Sequence, residues 1–149
     1  MYLYNELSVY VDIILAVKAA DGGVNMYVKI DFNSDEALYI QLRNQIIYGI
    51  ATSQFREGDN LPSVRELAEY IGINMHTVNK AYAILRQEGY IKLDRRKGAV
   101  IAIDIDKIQA IEDMKDELRV ILAKAICRNL NCQDVYEVIA EIFSEFERG

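Results

Sequence analysis

The segment from Leu61 to Glu66 is the strongest local constraint on the fold, because its side chains specify where a helix begins. Ser63 and Glu66 have the spacing of a capping box, in which each side chain accepts a hydrogen bond from the backbone N–H of the other residue. Pro62 restricts the residue before it to an extended conformation. Apolar residues follow at helical spacing, and Gly72 is suited to the left-handed conformation that ends many helices. A short helix is therefore predicted between Ser63 and Gly72.

A second helix follows after a tight turn. Asn74 is placed to cap it and Gly89 to end it, and two short helices joined in this way form a helix-turn-helix. The next residues predict a strand at 90–93, a charged turn at 94–98 and a returning strand at 99–103. A hairpin in this place predicts a winged helix-turn-helix. The expected fold class is mainly α with a small β wing.

The residues before this motif predict a strand and a longer helix. Apolar and polar side chains alternate from Met26 to Phe32, as in a short strand. Ser34, followed by two acidic residues, predicts a helix start, and the apolar face of that helix continues to about Gln54. We therefore expect a winged-helix domain over residues 26–103.

Residues 1–25 stand apart from this domain. Their leucine, valine and isoleucine residues recur at helical spacing until Gly22-Gly23, which predicts a short amphipathic helix. A second interpretation is that translation begins at Met26 and that the first 25 residues are an accessory segment.

Residues 104–149 predict two helices, the first beginning at Asp104 or Asp106 and the second capped by Asn131. Two helices cannot enclose a core by themselves, so their apolar faces need another surface. A second copy of the same hairpin would supply one by two-fold symmetry. The residues expected to form this dimerisation surface are Ile108, Ile111, Leu118, Leu122, Val135, Val138, Ile142 and Phe146.

Several short motifs, in order and at fixed spacing, resemble the GntR family of bacterial transcription regulators. They are Leu38-Tyr39-Ile40-Gln41-Leu42, the run from Gly58 to Ala68, the run from Asn74 to Tyr82, and Glu88-Gly89-Tyr90-Ile91. The short helical tail resembles the YtrA subfamily. The resemblance implies a homodimeric repressor or activator that binds a palindromic DNA operator. Two positions depart from the family pattern: Met75 replaces a usual basic residue, and the wing reads Arg96-Lys97-Gly98-Ala99-Val100 where Gly-Arg-Gly-Thr-Phe is usual.

The first two helices of the motif carry five candidate DNA-binding residues. Arg65 is expected either to pair with Glu69 at i+4 or to contact DNA, and the motif match favours DNA. His76 and Thr77 lie in the first turn of the second helix, where side chains reach base edges. Lys80 is one turn further on the same side and is expected to contact a phosphate or a base. Ser63, besides capping, could donate a hydrogen bond to a phosphate.

The predicted wing carries the other candidates. Arg95, Arg96 and Lys97 form the only run of three basic residues in the sequence, and Gly98 follows them. A run of charges is usually a solvated turn, but a wing tip beside a recognition helix is placed for phosphate or minor-groove contact. These four residues complete the expected DNA-binding set.

The charge balance at first argues against nucleic acid, because 17 basic residues face 23 acidic ones, for a formal charge of −6. The charges are unevenly distributed. Residues 1–37 carry 2 basic and 6 acidic residues, and residues 104–149 carry 6 and 11, whereas residues 38–103 carry 9 and 6. The segment that contains the predicted helix-turn-helix and wing is thus the positive part of an acidic chain.

Enzyme chemistry finds no support in the sequence. A single histidine and two cysteines, Cys127 and Cys132, make a poor zinc site, and the glycines form no phosphate-binding loop. We expect reduced cysteines packed at the turn of the tail, no metal, no cofactor, no membrane span and a cytoplasmic location.

The function expected is therefore that of a sequence-specific, DNA-binding transcription regulator, a repressor acting as a homodimer on a palindromic operator; an effector, if there is one, is unknown. An alternative is a winged helix used for protein–protein contact without DNA binding. A third is a metabolite sensor with a pocket between the domain and the tail.

Overall fold

The structure, a computed structural model, describes residues 15–18 and 25–148. The chain divides into two compact units between Ala102 and Ile103. In order, the elements are β1 (Leu15–Lys18), β2 (Asn25–Val28), α1 (Leu38–Ala51), α2 (Val64–Ile71), α3 (Met75–Gln87), β3 (Ile91–Asp94), β4 (Gly98–Ile101), α4 (Lys107–Cys127) and α5 (Cys132–Arg148). The predicted fold class is confirmed: a winged helix-turn-helix followed by two helices.

The described part of the N-terminal segment forms an antiparallel strand pair and not a helix. β1 and β2 pair antiparallel, with Leu15 opposite Val28 and Lys18 opposite Asn25. The helix predicted over residues 1–25 is therefore wrong at residues 15–18 and at Asn25, which are in strands. The other residues of that prediction lie outside the described ones. The physical reason is that Gly22-Gly23 lies between two short runs that pair with each other, and cross-strand pairing overrides the helical spacing of the apolar residues.

α1 begins at Leu38, three residues later than a cap at Ser34 predicts. The buried side chain of Gln41 accepts a hydrogen bond from the Asp31 N–H at 2.9 Å and donates to the carbonyls of Asp31 and Glu36 at 3.0 and 2.8 Å. Ser34 Oγ instead accepts from the Glu36 N–H within a local turn. The side chain of Gln41, a residue of α1, thus bonds to the backbone at both Asp31 and Glu36. These bonds hold the residues before α1 as a loop against the helix.

The core of the first unit lies among α1, α2, α3 and the wing. Its fully buried side chains include Leu42, Ile46, Leu67, Leu85 and Ile101. They supply one apolar side of each helix and the inner side of β4, as the helical and strand periodicities require. In α1 a glycine permits close packing, since a Cβ at Gly49 would collide with the Phe55 ring.

The helix-turn-helix forms as predicted. Gly72 ends α2 in the left-handed region with φ +77°, and its N–H donates to the Ala68 carbonyl. Asn74 is in an extended conformation and caps α3, accepting a hydrogen bond from the His76 N–H at 2.7 Å. A glycine and an asparagine thus fix the turn between the two helices.

The wing is a two-stranded antiparallel sheet with Ile91 opposite Ile101 and Asp94 opposite Gly98. The segment before α2 lies along its other edge: the Leu61 N–H donates to the Ala99 carbonyl, and the Ile101 N–H donates to the Asp59 carbonyl, both at 2.8 Å. The wing is therefore hydrogen-bonded to the residues that lead into the helix-turn-helix.

The second unit consists of two helices without a buried residue between them. Asp106 caps α4, accepting from the N–H groups of Ile108 and Gln109 at 3.1 Å. Asn131 and Asp134 form a reciprocal cap at α5, with side-chain-to-backbone distances of 2.7 and 3.1 Å. The starts predicted for both helices are confirmed.

The turn of the tail differs from expectation at its cysteines. Cys127 ends α4, Cys132 begins α5, and both are free and exposed. The prediction that they pack at the turn is wrong for this chain by itself, because the two helices leave the space between them open. Within 15–18 and 25–148, no helix is long and apolar enough to cross a membrane.

Candidate nucleic-acid interface

The N-terminus of α2 is held by the capping box that the sequence predicts. Ser63 Oγ accepts from the Glu66 N–H at 3.2 Å, and Glu66 Oε2 accepts from the Ser63 N–H at 2.8 Å. The hydrogen bonds to Ser63 lower the pKa of the Glu66 carboxyl below its usual value. As a cap, the serine hydroxyl acts only as an acceptor. Its own hydrogen therefore remains suited to a phosphate oxygen.

Arg65 forms the helix-surface pair that was one of its two predicted roles. Its Nε lies 3.0 Å from Glu69 Oε1, and the two side chains are 78% and 67% exposed. An exposed pair of this kind contributes about 0.3–0.5 kcal/mol. Such a weak contact does not prevent the guanidinium from turning to another anion.

α3 is fixed against α2 by a buried tyrosine. The Tyr82 hydroxyl donates to the Pro62 carbonyl at 2.7 Å. Burial, and secondarily the negative charge of Glu66, raise the pKa of Tyr82 well above its usual value, so this hydroxyl stays a donor. Tyr82 is thus a core residue, and it sets the position of α3 relative to the start of α2.

The outward side of α3 carries the predicted base-reading residues. His76 and Lys80 are exposed, and Thr77 is half-buried. Asn79, which was not among the predicted residues, is also exposed and lies three positions after His76, on the same side of the helix. An asparagine amide can pair with adenine through two hydrogen bonds in the major groove. The helical spacing from His76 was the signal in the sequence that could have identified it.

Lys80 makes a contact that the sequence pattern did not predict. Its Nζ lies 3.8 Å from the centroid of the Tyr39 ring, in the first turn of α1. This is well within the range of a cation–π interaction. Tyr39 is half-buried and Lys80 is exposed, so the ring is the more restricted of the two partners.

The wing tip is an ordered turn and not only a run of charges. Asp94 Oδ1 accepts from the backbone N–H groups of Arg96 and Lys97 at 2.8 and 2.9 Å, and these bonds lower the pKa of the Asp94 carboxyl. Gly98 has a φ of +76°, a conformation that favours glycine. The side chains of Arg95, Arg96 and Lys97 are all exposed. The basic triplet therefore projects from a backbone that the aspartate fixes.

The predicted interface residues thus lie in three places of the first unit. Ser63 and Arg65 are at the start of α2, His76, Thr77 and Lys80 are in the first half of α3, and Arg95 to Gly98 form the wing turn. All of them are at least partly exposed. No catalytic grouping is needed to explain them, and the described residues contain no cluster of histidine, cysteine or acidic side chains that could hold a metal ion.

The residues predicted for dimerisation lie on both helices of the tail, and none is buried. Ile108 is 78% exposed and Ile142 is 46% exposed. Between the helices is a cleft of about 390 Å³, whose lining is almost entirely apolar and includes Leu118, Leu122 and Val135. The tail by itself therefore leaves a continuous apolar surface open.

Comparison with known proteins identifies the family. The model of the bacterial regulatory proteins of the gntR family matches residues 36–101. The transcriptional repressor YtrA of Bacillus subtilis is 32% identical over 126 residues, which cover 82% of this chain and 96% of that protein. The chain belongs to the GntR family.

Solved structures agree with this assignment. YtrA from Sulfolobus acidocaldarius, a GntR-family transcription factor, is 39% identical with a TM-score of 0.58, over 67% of this chain and 97% of that one. A transcriptional antiterminator from Listeria monocytogenes is 25% identical with a TM-score of 0.71, over 79% and 90% of the two chains. The chain is thus a YtrA-like GntR regulator with a winged-helix DNA-binding domain. Because its relatives are transcription regulators, the prediction that it is not an enzyme is confirmed.

Proposed function

We propose that this GntR regulator is a repressor that binds a palindromic operator as a homodimer. The observation that carries the proposal is the pairing of an exposed recognition face on α3 with an ordered basic wing in the same unit. The name of the Bacillus subtilis relative, a transcriptional repressor, supports the sign of regulation. Such a regulator acts on DNA in the cytoplasm, which is where we propose that it works.

In this proposal α3 enters the major groove. His76, Thr77 and Asn79 would face base edges, because side chains in the first turns of a recognition helix reach furthest into the groove. Arg95, Arg96 and Lys97 would contact the backbone or the minor groove beside it. Ser63 and Arg65, at the positive end of the α2 dipole, would bind phosphate.

The homodimer is inferred from the tail. Exposed apolar side chains line both α4 and α5, and a soluble protein rarely leaves such a surface open to water. A second copy of the tail covers it by two-fold symmetry, with the same surface used on both chains. Two-fold symmetry also predicts an operator with half-sites about 10 bp apart, so that both α3 helices reach the same side of the duplex.

The test is selection of bound fragments from random duplex DNA at moderate salt, followed by binding measurements on the enriched sequence. We expect a palindrome with half-sites about one helical turn apart. Changing Arg95, Arg96 and Lys97 to Ala should weaken binding and reduce the slope of log K against log salt by about 0.9 for each DNA phosphate that the wing no longer neutralises.

A matched control removes the same charge from the tail, by changing Lys115, Arg119 and Lys124 of α4 to Ala. We expect this variant to bind the selected DNA like the wild type. The alternative function, a winged helix that contacts protein and not DNA, predicts no enriched sequence and no salt dependence specific to the wing. Enrichment of a sequence without two-fold symmetry would contradict the homodimer and leave only DNA binding.

A further inference from the structure

The contact between Lys80 and Tyr39 joins the recognition helix to α1. The lysine Nζ lies 3.8 Å from the ring centroid, although the two residues belong to different helices and are far apart in the sequence. Tyr39 is half-buried beside the packed interface of α1 and α3, whereas Lys80 is exposed. The ring is therefore the fixed partner, and the ammonium is the group whose position the contact determines.

The contact with Tyr39 distinguishes Lys80 from the other outward side chains of α3. The helix buries Val78, Ala81, Tyr82 and Leu85, and it exposes His76 and Asn79 on the outward side. At about 100° per residue Lys80 lies about 40° from His76 around the helix, between His76 and Thr77, and its ammonium reaches the Tyr39 ring of α1. The residue is thus on the outward side of α3, and the contact with Tyr39 is what brings its ammonium beside α1.

About half to two-thirds of the hydrogen bonds between proteins and DNA go to the sugar–phosphate backbone, and lysine is one of their usual donors. A lysine ammonium is a compact point charge that suits a phosphate oxygen but carries little base-specific geometry. A free lysine loses much of its side-chain freedom when it binds, and a ring that already restricts it reduces that loss. Both considerations favour a preorganised phosphate contact.

We propose that Tyr39 is a positioning residue of the DNA interface, whose ring holds the Lys80 ammonium beside α1 for a backbone phosphate and not for a base. The inference rests on the DNA binding proposed above. It adds a residue of α1 to an interface otherwise formed by α2, α3 and the wing. It also assigns Lys80 to affinity, leaving base recognition to His76, Thr77 and Asn79.

The test is a double-mutant cycle measured on the selected operator and on an unrelated duplex of equal length. Tyr39→Leu removes the ring, Tyr39→Phe retains it, and Lys80→Ala removes the charge. We expect Tyr39→Leu to weaken binding about two- to fivefold on both duplexes, as removal of an exposed cation–π interaction implies. Tyr39→Phe should stay within about twofold of the wild type, since the ring face is kept. Lys80→Ala should reduce the salt slope by about 0.9.

The decisive comparison is Tyr39→Leu in the Lys80→Ala background, where we expect no further loss on either duplex. An equal loss with and without Lys80 would show that the tyrosine acts independently and would overturn the positioning role. A loss confined to the selected operator would overturn the phosphate assignment. Thermal unfolding of each variant shows whether a loss of DNA affinity reflects a smaller folded fraction.

A measurement on the free protein keeps this inference distinct from the proposed function. A proton bound to the Lys80 ε-carbon should resonate upfield in the wild type and in Tyr39→Phe, because the ring current shields it, but not in Tyr39→Leu. Absence of that shift overturns the positioning role even if the protein binds DNA. If the shift is present but the wild type binds no duplex, both the proposed function and the role of Tyr39 at DNA fail, while the contact itself stands.

Discussion

The winged-helix unit and the helical tail use apolar residues in opposite ways. The first unit surrounds Leu42, Leu67, Leu85 and Ile101 with three helices and a wing, so these side chains are removed from water within one chain. The tail has comparable apolar residues at helical spacing, yet α4 and α5 bury none of them. Two helices have too few sides to enclose a core. The same helical pattern thus produces a closed core in one unit and an open surface in the other.

The largest expected effect compares one leucine from each unit. Leu85→Ala should lower the free energy of unfolding of the winged-helix unit by about 2–5 kcal/mol, because Leu85 is fully buried and its removal leaves a cavity. Leu122→Ala, at a half-buried position in α4, should cost less within one chain and should instead weaken self-association. Urea unfolding at two protein concentrations, with sedimentation of each variant, measures both effects.

The dependence of stability on protein concentration shows which unit is stabilised by self-association. Loss of stability in Leu85→Ala should not depend on protein concentration when the unit unfolds by itself, whereas the effect of Leu122→Ala should grow as the protein is diluted. A loss at Leu122 that is as large as that at Leu85 and independent of concentration would mean that the tail closes its own core.

The elements that the sequence predicts correctly are those specified by neighbouring residues. Ser63 with Glu66, and Asn131 with Asp134, each lie within one helical turn, so their hydrogen bonds follow from spacing. Gly98 in the wing likewise satisfies a local backbone requirement. Most of the first unit and the ends of both tail helices could be predicted for this reason.

The features that were missed depend on contacts that the helical and strand repeats do not encode. The start of α1 is displaced because Gln41 bonds to the loop that precedes it. β1 replaces part of a predicted helix because it pairs with β2. The Lys80 contact requires Tyr39 from another helix. Local periodicity contains none of this information, so tertiary contacts decided each case.

The two units can also be compared through their helix caps, because each unit contains a reciprocal side-chain cap. The expected effect on stability is of intermediate size. Ser63→Ala should lower the global free energy of unfolding by about 1 kcal/mol, because α2 carries core residues such as Leu67. Asn131→Ala removes a similar cap but should only increase hydrogen exchange in the first turn of α5, which has no buried residue. Urea unfolding and hydrogen exchange provide the two measurements.

The pH dependence of the Ser63 variant gives an independent check. The pKa of Glu66 is lowered in the folded protein by its bonds to Ser63, so this contribution is present above the ordinary pKa of a glutamate and is lost as the pH falls through the folded value. The stability difference between the wild type and Ser63→Ala should therefore be greatest near neutral pH and should shrink below about pH 4. A difference that is constant with pH would contradict a role for the Glu66 carboxylate.

The smallest effect on stability is expected at two surface ion pairs, one in each unit, which should differ in their effect on DNA binding. Arg65 pairs with Glu69 in α2, and Lys115 pairs with Glu112 in α4; all four side chains are more than half exposed. Arg65→Ala and Lys115→Ala should each cost about 0.3–0.5 kcal/mol of stability, because exposed pairs are weak in both units. DNA binding should distinguish them, since only Arg65 lies at the proposed interface. Glu69→Ala, which releases Arg65, should strengthen binding to any duplex, and a weaker affinity instead would mean that Glu69 holds Arg65 in the orientation that DNA requires.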